Sequence, residues 1–373
     1  MFWPTLKRSF MMSSTTTSAP FSKAVVRAMQ RLYPTALADS SWDNTGLLLE
    51  APSSATNKRS NTVLLTIDLT RAVADEAIAL NTSIIVAYHP IIFRGLKSIT
   101  LANTQQQTLL RLASHGISVY SPHTAVDSAP GGLGDWLADI VTGATISKAS
   151  GASTPDAQTV DNSDDKKPKR PTYSLHHQRS SQRLFTSHLP PSKPQPIPHD
   201  RRPIIPQSPA LESHPGAGMG RIVEFRDAQP LPTLLDRIGR ALNNPKGFPI
   251  AIPQGSTISD IAVKSIGICA GSGGSLLGNL DVDLLFTGEL SHHEALAAIE
   301  KGQTVISLFH TNSERGFLEE VLRGQLEGVV GEEWGAVRKE ENLEGEEGEE
   351  EFEVVVSEVD RDPYGIVILK EGQ

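Results

Sequence analysis

The sequence predicts an α/β protein built from two similar halves, on three observations. Strand-length apolar runs alternate with amphipathic stretches of helical period. The same order of elements appears twice along the chain. Polar residues able to do chemistry stand where several of the apolar runs stop. A length of 373 residues leaves room for about two domains.

The elements of the first half, residues 21–147, follow in order. SKAVVRAMQRLYP has helical spacing of its apolar residues. TVLLTIDL, from Thr62, is apolar and β-branched, as a strand should be, and TRAVADEAIAL is helical with Thr70 placed to cap it. SIIVAY is a second strand that ends at His89-Pro90. TQQQTLLRLASHG is a helix closed by Gly116. ISVY is a third strand, and GGLGDWLADIV opens another helix. Strands separated by helices of this length imply crossover connections and a parallel or mixed sheet covered on both faces.

The rhythm returns near Gly218, in a second half taken as residues 216–373. GRIVEF is a strand, LPTLLDRIGRALN is amphipathic, and SIGICA is a strand running into GSGGS. VDLLFTGE is a strand, SHHEALAAIEKG a helix, TVISLF a strand and NSERGFLEEVLRGQLE a helix. EVVVSEVD and GIVILK close the chain as strand-like pieces.

Three segments break the pattern. Residues 148–215 hold twelve of the 25 prolines and five of the eleven histidines, with little hydrophobic periodicity. They bury too little apolar surface to offset their ordering entropy and are predicted to be a disordered insertion. The His176-His177 pair inside it is read as solvated linker, as are the other three histidines there. The acidic stretch within 339–353 (ENLEGEEGEEEFE) repels itself and reads as a solvated loop. Residues 1–20 are rich in Ser and Thr, and no acidic residue precedes Asp39. That composition resembles a mitochondrial presequence, and equally a frayed end before an ordinary helix. Cytoplasm, mitochondrion and nucleus are all compatible with it.

Composition excludes several classes of function. Net charge is −9 and no basic face with interleaved aromatics occurs, so direct nucleic-acid binding is disfavoured. The longest apolar runs are strand-length, so no membrane span is expected. The single cysteine, Cys269, excludes a disulfide framework and a four-thiolate zinc site. Any metal must be held by histidine and carboxylate.

In open α/β sheets functional groups gather beyond the carboxyl ends of the strands. Of the six histidines outside the insertion, five lie just past a predicted strand or in the first turn of the next helix. The sixth, His115, ends a helix, where a cation suffices as its role. AYHP places His89 at a strand tip. YSPHTAVD places His123 and Asp127 after the next strand, and FHTNSERG places His310 and Glu314 after the last strand of its half. With helix starting near Thr311, Glu314 projects back toward the strand end and suits, with imidazole, a borderline divalent ion. A glutamate in a first turn is also explained by macrodipole stabilisation and capping. GSGGS fails the dinucleotide fingerprint, because the last required glycine falls on Leu276, and it reads as a tight turn or a phosphate-cradling nest. No nucleophile elbow, Walker loop or C-x-x-C occurs.

Taken together, WDNTGLLLE, AYHPIIFRGLKSIT, VYSPHTAVDSAPGGLGDWLA, FTGELSHHEALAA and FHTNSERGFL resemble, in that order, the signature blocks of the Nif-three-like family. Its members also carry the label of GTP cyclohydrolase I type 2 homologues, and it takes its name from a yeast factor that binds the transcriptional adaptor Ngg-one. The resemblance covers residues 22–147, 218–327 and the terminal strand. It implies a duplicated three-layer α/β/α fold with mixed sheets, a dinuclear divalent-metal site between the halves, and a homohexamer. By motif position it assigns His89, Asp127, His310 and Glu314 as ligands, with Glu314 bridging two ions of Zn, Mn or Fe. Relatives commonly carry two adjacent histidines where this chain has Tyr88-His89. One metal therefore loses a donor unless His123 or water supplies it. Hydrolase chemistry on a small-molecule substrate follows from paired ions, with Glu289, His292 or His293 as proton shuttles or simply as supporting residues. The alternative is a non-catalytic metal-binding regulator that meets an adaptor partner.

Overall fold

The computed structural model describes residues 18–52, 59–143, 172–176, 195–242, 245–343 and 350–370. The first part runs through α1 (Pro20–Leu32), β1 (Gly46–Leu49), β2 (Thr62–Thr66), α2 (Arg71–Ala79), β3 (Ile84–Ala87), α3 (Thr104–Ser114), β4 (Ser118–Ser121), α4 (Thr124–Ser128) and α5 (Leu133–Thr142). Local chemistry sets these limits. Thr70 caps α2 by accepting from the Val73 amide at 3.3 Å, and Asn103 caps α3 through the Gln105 and Gln106 amides. Gly116, at φ +73°, takes the left-handed turn that ends α3. β2, β3 and β4 are buried throughout, which is why they read as continuous apolar or small runs rather than alternating ones.

The remainder comprises β5 (Thr172–His176), β6 (His199–Arg202), β7 (Ile205–Pro206), β8 (Gly218–Met219), β9 (Arg221–Pro230), α6 (Leu231–Ala241), β10 (Ile250–Ala251), β11 (Ala262–Ser272), α7 (Gly274–Leu277), β12 (Leu284–Glu289), α8 (His292–Glu300), β13 (Thr304–Ser307), α9 (Arg315–Phe317), α10 (Arg323–Glu340), β14 (Glu353–Val356) and β15 (Ile366–Lys370). Two mixed sheets carry the fold. The first has the order β1-β4-β3-β2-β14, parallel except at β1. The second has the order β10-β13-β12-β11-β9-β6, with a parallel centre and antiparallel flanks. One apolar cluster passes through both, joining Val63 and Trp136 to Phe225, Phe286 and Phe317.

Polar staples fix the halves to one another. Arg221 is 2% exposed. Its guanidinium donates to Asp135 Oδ1 at 2.7 Å and to the carbonyls of Gly218, Gly220 and Ala129. After β14 the chain bonds to both halves. Asp360 accepts from the Ile67 amide at 2.7 Å and pairs with buried Arg315 at 2.7 Å, while Asp362 accepts from the amide and hydroxyl of Thr311.

Three expectations are corrected. The sequence predicts a disordered insertion over 148–215, yet its last third is structured. β6 pairs antiparallel with β9, and Arg201 reaches Asp139 at 2.5 Å. Proline-rich composition hid this because prolines flank an edge strand, where a missing amide costs nothing. Of the dismissed histidines, His199 packs edge-on to Phe225, His214 meets the Leu32 carbonyl at 3.1 Å, and His176 lies in β5, paired with β15. His177 and His188 lie outside the described residues, as do residues 1–17 with the presequence reading. Second, residues 216–373 are not one half, since β14 joins the first sheet beside β2 and α10 packs on α1. The acidic loop drawn over 339–353 begins inside the end of α10, and residues 344–349 of it lie outside the described ones. Third, the helix expected from Asn312 is broken. A 3-10 turn at Thr311–Ser313 gives way to Glu314 at φ −122°, then to α9, a π-helical turn at Leu318–Leu322, and α10.

Candidate metal centre

The strand ends of the two sheets converge on one cluster. Tyr88 and His89 continue the β2–β3 ladder for two residues, their amides donating to Thr66 and Ile67 carbonyls at 2.9 and 3.0 Å. That places the His89 ring at the rim. On the facing side Leu308 still bonds to Thr287, then Phe309 turns the chain at φ +67° and releases His310. A left-handed phenylalanine is costly and occurs where surrounding structure enforces it. His123, two residues past β4, also has a positive φ, +32°.

Ligand-type atoms of His89, His310 and Glu314 lie within 4.8 Å of one another. Glu314 is 1% exposed. Its Oε2 is 3.6 Å from His89 Nε2 and its Oε1 is 3.7 Å from His310 Nε2, both beyond hydrogen-bond range. Oε2 is a buried oxygen with no hydrogen-bond partner, and a buried carboxylate oxygen left so is expensive unless a cation meets it. A glycine makes the space: a Cβ on Gly271 would stand 2.8 Å from Glu314 Oε1 and 3.0 Å from His310 Nε2. Gly271 belongs to the GSGGS run, so that run serves as a close wall of this cluster.

Each histidine is backed by a carboxylate. His89 Nδ1 is 2.9 Å from Asp68, His310 Nδ1 is 2.9 Å from Glu289, and His123 Nδ1 is 2.7 Å from Asp43. A carboxylate on Nδ1 holds the proton there, fixes the ring and leaves Nε2 as the donor, the arrangement that supports imidazole as a metal ligand. Arg315, fully buried, holds Asp68 in turn at 3.3 Å. Burial opposes a charge on His89, but Glu314 and Asp68 outweigh it and raise its pKa to about 10. The carboxylates here demand a cation, and a divalent ion would compete with protons for the site.

Asp127 and Tyr88 lie beside this trio. Burial raises the Asp127 pKa to about 6, and its Oδ1 accepts from the Tyr88 hydroxyl at 2.8 Å. Burial, then the Asp127 charge, holds the Tyr88 phenol well above its ordinary pKa, so it remains a donor. The His123 ring is 5.4 Å from those of both Tyr88 and His89. Cys269 is close enough to feel Asp127 and Glu314, but burial pushes its thiol up to about 12, and a protonated thiol is no ligand.

Of the residues singled out in the sequence, the structure brings His89, His310 and Glu314 together, with Asp127 and His123 adjacent. Glu289 acts on the back of His310, as an orienting partner. His292 and His293 are exposed on the first turn of α8, their rings 5.2 Å apart, with no described contact to the cluster. Asp68 and Asp43 were missed. Asp68 follows an apolar run and obeys the same strand-end rule as His89, so a search for carboxylates beside one for histidines finds it.

Comparison with known proteins gives the family. The profile of the Duf34/NIF3 (NGG1p interacting factor 3) family matches residues 22–363. The chain belongs to that family. The NIF3 homolog of Schizosaccharomyces pombe is 39% identical over 309 residues, covering 83% of this chain and 90% of that protein. NGG1-interacting factor 3 of Saccharomyces cerevisiae is 33% identical over 363 residues, covering 95% and 100%. Among solved structures, Staphylococcus aureus hypothetical protein SA1388 superposes with a TM-score of 0.57 at 20% identity, covering 93% of this chain and 99% of that one, which bears on fold alone. The paired mixed sheets of this chain are thus the NIF3 fold, and in this family member the strand ends meet at a His/His/Glu group.

Proposed function

We propose that this NIF3 chain binds a divalent ion through His89, His310 and Glu314 and uses the site for hydrolysis of a small substrate. The observation that carries the proposal is the buried Glu314 carboxylate, one oxygen of it orphaned, set between two carboxylate-backed histidines. When bound, a divalent ion there supplies Lewis-acid polarisation and lowers the pKa of water. The chain's own residues do the rest. Asp68 and Glu289 fix the two imidazoles, Arg315 fixes Asp68, and His123, held at Nδ1 by Asp43, keeps Nε2 to move a proton at the cleft. The histidine and carboxylate donors suit Zn, Mn or Fe. The same proposal takes the active form as a homohexamer, and the compartment as cytoplasm or, on the composition of residues 1–20, mitochondrion.

The test is elemental analysis of the purified chain together with a hydrolysis screen over phosphoesters, cyclic nucleotides and lactam or imidazole rings, before and after chelation. About one ion per chain and turnover restored by a single metal are expected. Bound metal with no turnover across the screen would instead favour a regulatory role. The name of the budding-yeast relative, an NGG1-interacting factor, is the observation behind that second reading.

A second ion would need Asp127 and a donor beside it. Here the Tyr88 hydroxyl already occupies one Asp127 oxygen. Tyr88→His should replace that donor with a neutral imidazole and raise bound metal from about one to about two ions per chain. Tyr88→Ala controls for lost bulk. Equal metal content in the two variants would mean that the position adds no ligand.

A further inference from the structure

We propose that Trp42 and Phe93 form a stacking wall for a flat aromatic or heteroaromatic part of the molecule this site acts on. The position of the wall rests on the metal-centre reading above; its physics does not. Trp42 is 50% exposed and Phe93 45%, with ring centroids 5.9 Å apart at a 45° tilt. Two large aromatics left open together mark a place where something binds.

The Trp42 ring is held in place, and so is the backbone beside Phe93. The Trp42 indole nitrogen donates to Asp39 Oδ2 at 2.9 Å. Asp39 is itself tied down, its Oδ1 accepting from Ser41 and its amide donating to Thr124 Oγ1 at 3.0 Å. The Trp42 ring stands edge-on to His123, with centroids 5.8 Å apart and an 87° interplanar angle. One residue on, Asp43 holds His123 and Thr124. The Asn44 side-chain amide donates to the Ile92 carbonyl and anchors the segment that carries Phe93. The only polar atom of the indole is thus engaged by the protein, and its face is offered already ordered. A rigid aromatic of that kind binds at little cost in side-chain entropy.

Continuity with the cluster argues for a small molecule. The His123 ring is 5.4 Å from His89, whose ring is 5.3 Å from His310. A substrate with a polar group at the Glu314 cluster would extend its remaining body past His123 to Trp42. The Phe93 segment also exposes Arg94 and Lys97, and no ion pair is described for either. An anionic substituent on the ring-bearing ligand is therefore favoured over an apolar peptide or a second apolar surface.

The test uses adenosine 5′-monophosphate against ribose 5-phosphate, which share a phosphate and differ by the ring. Both are titrated calorimetrically into the full chain, metal-loaded and chelated, for the native protein and for Trp42→Ala, Trp42→Phe and Phe93→Ala. Stacking on one aromatic should make the ring-bearing probe about tenfold tighter, or more, in the native protein. Trp42→Ala should remove that preference, Trp42→Phe should keep part of it, and metal content and sedimentation should stay unchanged. Equal affinity for the two probes in the native protein, or an undiminished preference in Trp42→Ala, overturns the proposal. So does dissociation of the assembly in Trp42→Ala and Trp42→Phe alike, which would make this face an interface between copies. A chain that shows ring preference but neither metal nor turnover would sink the hydrolase reading while leaving the wall in place.

Discussion

Glu314→Gln should bind a divalent ion far more weakly than the native chain does while staying folded. The substitution keeps the volume of a side chain that is 1% exposed and removes only its charge. It takes the shared anionic partner from both His89 Nε2 and His310 Nε2. Changes to residues that merely orient metal ligands cost roughly 10–100-fold in affinity, so loss of a ligand should cost at least about 100-fold. Asp68→Asn should fall in the smaller range, because it weakens the support of His89 and the contact with Arg315 but removes no member of the His/His/Glu group. Dialysis against a metal buffer followed by elemental analysis reads both. The same measurement should show pH dependence of a defined sign. His89 must lose its proton to bind a metal, and its pKa is raised to about 10, so affinity should fall as pH is lowered through the neutral range. Undiminished metal in Glu314→Gln would remove that residue from the site.

Asp360→Ala should destabilise the whole chain by about 3–5 kcal/mol, the usual cost of leaving one member of a buried ion pair without the other. Arg315 and Asp360 are both 0% exposed in their side chains and meet at 2.7 Å. Asp360 also satisfies the Ile67 amide at the end of β2. The control is the pair Arg315→Met with Asp360→Ala. Removing both charges leaves neither member of the pair as an unpaired buried charge, although the Ile67 amide still loses its acceptor and Asp68 its contact with Arg315, so the double variant should lie closer to the native protein than the Asp360→Ala single. Urea melts followed by circular dichroism measure all three. An Asp360→Ala midpoint within error of the native value would show that the pair does not hold the halves together.

These two sites also show what the sequence could and could not say. His89, His310 and Glu314 were legible because each stands within a few residues of an apolar run, and parallel strands deliver such residues to a common edge. Asp360 was not. Its partners Ile67 and Arg315 lie far along the chain, 293 residues away in the first case, and no local period encodes so distant a pairing. The same holds for β14. EVVV reads as a strand from its composition, but composition does not say that it will pair with β2 rather than with a neighbour in its own half. In β6 the error ran the other way. Proline is the dominant local signal there and masks the alternation of Ile197, His199 and Arg201, of which Ile197 packs on the core, His199 meets Phe225 and Arg201 meets Asp139. The paired histidines of α8 drew attention by chemistry alone, and exposure separates them from the site.

The placement of β14 beside β2 has a kinetic consequence. Until residues 353–356 arrive, β2 is an edge strand of Thr62, Val63, Leu64 and Leu65 with unpaired amides and carbonyls, in a segment that ends up wholly buried. Such an edge invites pairing with another chain. Closing it requires loop closure across nearly the entire polypeptide, and contacts of so long a range form slowly. Refolding should therefore pass through a species with the first sheet incomplete, its yield falling as protein concentration rises. The segment that relieves this hazard leads directly into Asp360 and Asp362, which secure Ile67 and Thr311. In this chain, protection from aggregation and completion of the supports around the His/His/Glu group should be the same late event.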